Sequence, residues 1–429
     1  MFPAPLLLVL LVLISPLCLI FDGPMAYGVV TASASLLLLI IAVRIRPGEA
    51  EFFSRLIFPV ALVATVPVLV IVIQLIPSES IGLANAVWRS AAGALSRRIA
   101  ASVTIDAGET LICLVRYCSF VGLMFSTIAI AIDRRRASWI LSALTLATTL
   151  SALMVVVAGF ADAAEISALD TVAATDAAVL GIIIAVAMVS QIRERANAAS
   201  AGQTSLGLLR LMLLLCLAAI GVSSFAVIKY GTTGAFFALA FAIIIFIVAG
   251  VIRRFELDAW GYLAVVAIVV VIAIAALALR PSERMTDFTV ALAAAPQSPL
   301  ISLTRRLLAE TGWLGTGAGT FAALLPIYGN IDELAAGTVA PSAAAAIAIE
   351  MGKPFLWVTL ICGVVLVITL LRGAARRGRD SFYPTVGASC VVAIVVLAFN
   401  NSGLFNTSVL LISAVTIGLA IAQSKRRAA

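Results

Sequence analysis

Apolar runs of about twenty residues, the length a helix needs to cross roughly 30 Å of hydrocarbon, recur along almost the whole chain. Of its 429 residues 63% are hydrophobic and only 11% are charged, with a mean hydropathy of +1.18. Soluble domains carry about a quarter charged residues, so a soluble fold is excluded. The expected fold is an all-α polytopic membrane protein without a separate soluble domain.

Twelve runs are readable, near 5–21, 28–43, 56–77, 109–132, 139–160, 172–190, 207–228, 233–252, 259–279, 354–371, 383–399 and 407–422. Basic residues in short loops set the orientation of such helices. With the N-terminus in the cytoplasm, every second loop is cytoplasmic, and those loops hold 17 of the 28 basic residues. They include Arg134, Arg135 and Arg136, then Arg193 and Arg195, and the group from Arg372 to Arg379. The short opposite loops FDGPMAY, ADAAEISALDT and NNSGLFNTS hold none. Both termini are therefore expected inside. The net charge of +7 has anionic lipid headgroups as its counterpart, and no nucleic acid is implied. The opening MFPAPLLLVLLVLISPLCLIF lacks a basic lead and a small-residue cleavage site, so it is expected to remain as the first span. The six cysteines lie in apolar runs with neither disulfide nor zinc spacing.

Two external loops are long, 78–108 and 280–353. They divide the chain into a nine-span region over 1–279, a large external loop over 280–353 and a three-span region over 354–429. In the late loop, SPLISLTRRLLAETGW repeats leucine at helical spacing around Arg305, Arg306 and Glu310, which suits a helix lying at the membrane surface. PSAAAAIAIEMGKP has a helix start at Pro341 and a stop at Gly352. Between them lies GWLGTGAGTFAALLPIYG, where Gly315, Gly317 and Gly319 alternate with small residues. No Lys-Ser/Thr follows and no strand precedes, so this is not a nucleotide-binding loop. A tight turn is the commoner use of such glycines, and close approach of a phosphate is the second. On the external face that phosphate would belong to a lipid, such as a lipid-linked pyrophosphate sugar.

In this arrangement the chain resembles the bacterial O-antigen ligase and O-antigen polymerase superfamily. The matching pieces are Arg305 or Arg306, GTGAGTF over 315–321, and Glu350-Met351-Gly352. In the earlier loop, QLIPSESIGLANAVW followed by SVTIDAGETLICLVR is also similar. The family's His-Asn position falls on Pro341 and Ser342, and the chain has no histidine. Its Ser-Arg-Gly pattern appears here as KYGTTGAF, without arginine. The resemblance implies a GT-C-like inner-membrane protein with its large loop in the periplasm. It implies glycosyl transfer from an undecaprenyl-pyrophosphate-linked glycan to a glycan or lipid acceptor, without a cofactor or metal. Membrane lipids, and polysaccharide export or chain-length proteins, are the further partners it implies.

In that chemistry an acceptor hydroxyl attacks the anomeric carbon, and fixed guanidinium groups stabilise the departing pyrophosphate. Arg305 and Arg306 are the first candidates, against interfacial anchoring as the plain alternative. Arg116 lies about seven residues inside its run, where charge marks a site or a paired partner unless it snorkels outward. Arg97 and Arg98 of the earlier loop are candidates to share the phosphate, against a solvated charge pair. Without histidine a base must be a carboxylate, and Glu350 and Glu310 are the candidates. The plain alternative for Glu350 is an i,i+3 pair with Lys353. Asp332 and Glu333 are adjacent acids, which is too little for a metal site. Two rival functions stay open. One is a transporter or flippase of lipid-linked oligosaccharide, which mid-span carboxylates or inverted repeats would favour. The other is a catalytically inactive assembly subunit.

Overall fold

A computed structural model describes residues 3–45, 47–77, 82–97, 99–160, 169–199, 206–255, 300–329, 339–377 and 380–425. The run expected near 259–279 lies outside the described residues, as do Arg98, Asp332 and Glu333.

Among the described residues the regular structure is helical, with one isolated antiparallel bridge between Pro77 and Ser102. The chain opens with α1 (Pro3–Ile14), which runs into a 3-10 turn, then α2 (Pro24–Arg44) and α3 (Pro47–Leu75). A short helix, α4 (Ala86–Leu95), leads to α5 (Ala107–Ala131), α6 (Arg134–Phe160) and α7 (Thr171–Ala199). Next come α8 (Leu206–Tyr230) and α9 (Thr233–Phe255). The late loop contains α10 (Ile301–Glu310), α11 (Phe321–Tyr328) and α12 (Ala343–Glu350). The chain then returns through α13 (Lys353–Arg376), α14 (Phe382–Ala398) and α15 (Thr407–Ala422).

Eight of these helices are long and apolar enough to cross a membrane: α2, α3, α5 to α9 and α13. Three shorter apolar helices, Pro3–Leu19, Phe382–Ala398 and Thr407–Ala422, coincide with the remaining described runs. The surface agrees with a bilayer environment. On α3, Phe58, Leu62, Val63 and Leu69 are all exposed, an apolar band that water would not tolerate over such an extent. The protein is a multi-pass α-helical membrane protein.

The bundle is organised around α7, whose membrane-length segment is 83% buried whereas that of α3 is only 11% buried. Small side chains permit this. Ala173, Ala174, Ala177 and Ala178 are fully buried, so neighbouring backbones approach closely. Buried hydroxyls return to their own helices, as Thr127 Oγ1 does to the Leu123 carbonyl at 2.8 Å. α5 connects the two ends of the bundle. Its N-terminus is capped by the Asp106 carboxylate, which accepts from the Gly108 and Glu109 N–H groups. Just before that cap, the Ile105 N–H donates to the Thr316 carbonyl of the late loop at 3.0 Å. Its C-terminus leads into Asp133 and the basic group Arg134–Arg136.

The late loop corrects one expectation. The leucine face of α10 does not lie free on a membrane surface. Leu303, Leu307 and Leu308 are buried in a small core with Phe321, Leu324 and Leu325 of α11 and with Ala345 and Ile349 of α12. The amphipathic period is present, but protein takes up the apolar face.

Candidate functional site

Gly315, Gly317 and Gly319 have φ of +73°, +115° and +79°, backbone conformations that favour glycine. Close approach adds a second requirement. A Cβ at Gly315 would stand 2.2 Å from the Glu350 carbonyl oxygen, and one at Gly317 would stand 2.2 Å from Thr104 Oγ1. The loop is folded between the end of α12 on one side and the start of α5 on the other.

Its amides are taken up within the protein. The N–H of Thr316 donates to the Ile349 carbonyl at 3.1 Å, and that of Gly317 donates to the Glu350 carbonyl at 3.0 Å. Ala318 N–H donates to Gln74 Oε1 at 3.1 Å. Gly319 N–H donates to Glu350 Oε2 at 2.8 Å, and Phe321 N–H donates to Glu350 Oε1 at 3.1 Å. Gly315 and Thr320 donate to the Gly312 and Gly317 carbonyls. From Gly315 to Phe321 no main-chain donor is left to cradle a phosphate in this conformation. Any phosphate here would have to be held by side chains.

Glu350 thus places its carboxylate where two loop amides point. Burial pushes its pKa up to about 7, against the lowering effect of the Gly319 and Phe321 N–H groups. A chain without histidine would be expected to lack a titrating group near neutrality. The structure supplies one in Glu350, in the range suited to moving a proton at neutral pH.

Gln74, at the end of α3, holds the assembly together. It is fully buried, and its Nε2 donates to the Leu314 carbonyl at 2.6 Å and to the Glu350 carbonyl at 2.8 Å. Thr104 adds a second clamp through a 2.7 Å bond to Thr110, and the Trp88 indole donates to the Thr104 carbonyl at 2.9 Å. Sequence reasoning missed these residues. The available signal was a lone glutamine closing the apolar run VIVIQLIP. The two long loops meet through Gln74, Thr104 and Ile105, and Arg98 lies outside the described residues. Arg97 is exposed just beyond α4.

Arg116 is engaged by the protein. Its Nη2 donates to the Phe405 carbonyl in the turn before α15, and its guanidinium lies 4.2 Å from the centre of the Tyr27 ring. Cys113, about one turn earlier on α5, lies under the glycine loop, where a Cβ on Gly319 would be 3.5 Å from Cys113 Cβ. Arg116 therefore stands one turn beneath the loop, with Nε buried and unpartnered. Arg305, Arg306 and Glu310 are exposed on the outer face of α10. Among the described residues no group of acids, cysteines or histidines has the arrangement to hold a metal ion.

No protein-family model matches this chain, and no curated protein matches it.

Proposed function

We propose that the protein transfers glycosyl units from an undecaprenyl-pyrophosphate-linked donor at the periplasmic face of a bacterial inner membrane, as a divergent relative of the O-antigen ligases and polymerases. In this reading there are twelve spans in a GT-C-like arrangement. The eight long helices and three shorter ones are joined by the run near 259–279, and both termini are cytoplasmic.

The single observation that carries the proposal is the joint built by Gln74, Glu350 and the glycine loop. It locks two external loops, distant in sequence, over the N-terminal end of α5. At that joint a carboxylate with a pKa of about 7 lies one α5 turn above a guanidinium with an unpartnered buried nitrogen. In the proposed step the acceptor oxygen bonds to the anomeric carbon as the carbon–oxygen bond to pyrophosphate breaks. Glu350 takes the acceptor proton, and the exposed guanidinium groups of Arg305 and Arg306 stabilise the departing charge.

A second reading, the inactive assembly subunit, is favoured by one fact: both Glu350 oxygens already accept backbone hydrogen bonds. Reconstituting the purified protein with an undecaprenyl-pyrophosphate-linked oligosaccharide distinguishes the two. Glycan transfer with release of undecaprenyl pyrophosphate supports the enzyme. No transfer with any lipid-linked donor leaves the subunit.

A further inference from the structure

At the end of α5 opposite the glycine loop, the start of α6, the end of α7 and the start of α14 line an open cleft of about 440 Å³. Pockets for small ligands run from roughly 300 to 1,000 Å³. α7 contributes Gln191, Glu194 and Arg195, which the i, i+3, i+4 spacing puts on one face. Arg134 and Arg135 come from the start of α6, and Asp380 from the turn before α14.

The carboxylates of this cleft already have partners. Asp380 pairs with Arg134, and its N–H donates to Glu194 Oε2 at 3.3 Å. Asp133, also on the wall, accepts the Arg135 N–H at 2.8 Å and faces Arg136 at 3.6 Å. Two cations are left over. Arg195 donates to Ser138 Oγ at 2.6 Å, and Arg135 lies over the Trp139 ring. Among the described residues neither has a carboxylate within salt-bridge distance. Gln191 is the second unmet group. It is only 6% exposed, its Nε2 donates to the Tyr383 hydroxyl at 2.9 Å, and its Oε1 has no partner.

Two unpaired guanidinium groups call for an anion, and their planar forks suit phosphate oxygens. A buried amide oxygen calls for a donor, which phosphate oxygens do not supply. Asp380 and Asp133 each face an arginine and Glu194 accepts the Asp380 N–H, whereas the Gln191 oxygen is an acceptor that a single ligand hydroxyl would satisfy. We propose that this cleft binds a phosphate ester bearing free hydroxyls, the chemistry of a glycerol-phosphate or sugar-phosphate group. Arg135 and Arg195 hold the phosphate, and Gln191 Oε1 accepts a hydroxyl. The source is either a glycerophospholipid headgroup from the adjoining leaflet or a soluble phosphate ester. This site lies apart from the glycine-loop joint and does not depend on glycosyl transfer.

The test uses the full chain in nanodiscs. Glycerol 3-phosphate and inorganic phosphate are titrated calorimetrically in phosphatidylcholine discs. In parallel, lipids retained from mixed phosphatidylglycerol and phosphatidylethanolamine discs are identified by native mass spectrometry. Binding of glycerol 3-phosphate indicates the soluble source, and selective retention of phosphatidylglycerol indicates the lipid source. In either arm the Arg135→Gln, Arg195→Gln double variant is expected to weaken binding at least tenfold. Should that variant not fold, Gln191→Leu keeps both cations and is expected to remove the preference for glycerol 3-phosphate over inorganic phosphate, or for phosphatidylglycerol over phosphatidylethanolamine. Absence of binding in both arms overturns the proposal. So does equal retention of phosphatidylethanolamine, or binding indifferent to the substitutions.

Discussion

The side-chain amide of Gln74 donates to the main-chain carbonyl of Glu350 at 2.8 Å, across 276 residues of sequence. The same amide reaches Leu314 and, through its oxygen, Ala318, so one side chain holds both edges of the glycine loop. Because Gln74 is fully buried, the groups it serves have no water to turn to when it is removed.

Gln74→Leu should therefore cost about 2–4 kcal/mol, since it leaves the Leu314 carbonyl and the Ala318 N–H without a partner. The late loop should loosen before the bundle does. Limited trypsin digestion is expected to cut at Arg305 or Arg306 faster in the variant, at unchanged membrane insertion. Equal cleavage rates would mean that the loop is held elsewhere.

Gly317→Ala tests the loop backbone. With φ at +115° and Thr104 Oγ1 only 2.2 Å from an added Cβ, the substitution has no unstrained solution. A loss of about 1–3 kcal/mol is expected in detergent-solubilised protein. Gly221→Ala is the control. It lies within α8, where an added Cβ meets nothing within 4 Å, so it should be neutral or slightly stabilising.

Glu350 makes a pH prediction. Its folded pKa of about 7 lies above the ordinary 4.5, so its protonated form is the one the fold favours. The stability this contributes is complete below pH 4.5 and is lost as pH rises through 7. The melting temperature of wild type minus that of Glu350→Gln should accordingly fall between pH 5 and pH 8. Turnover should run the other way, rising through pH 7 as the base ionises. Glu350→Gln is expected to flatten that rise and cost about 10²-fold or more in turnover. A variant with normal turnover would send the acceptor proton elsewhere.

Replacing Arg305 and Arg306 together by alanine should abolish glycan transfer and leave folding intact, because both side chains are exposed while the leucines beside them form the core. Each charged hydrogen bond to a developing phosphate contributes roughly 1.5–3 kcal/mol. Full transfer by the double variant would reduce the pair to surface charges.

Single cysteines near positions 135, 255 and 376 should be labelled from the cytoplasm, and those near 95 and 320 from outside. A cytoplasmic position 320 would put the glycine loop on the wrong face for a lipid-linked donor.

The sequence by itself determined the helical, membrane-crossing class. Hydrocarbon rejects unpaired backbone, so an apolar run of sufficient length has a single local solution. It also determined the amphipathic period of α10, because leucine spacing is a property of neighbouring residues. What covers those leucines was decided only when α11 and α12 folded against them. Tertiary structure alone likewise decided that the glycine amides serve Glu350 and Gln74, and that Arg116 is held by Phe405 and Tyr27. Those partners are brought together from α2, α3, α5, the late loop and the turn before α15. A glycine, a glutamine or an arginine carries no local mark of a partner some hundreds of residues away. Its role follows from which chain segments the bundle brings within hydrogen-bonding distance.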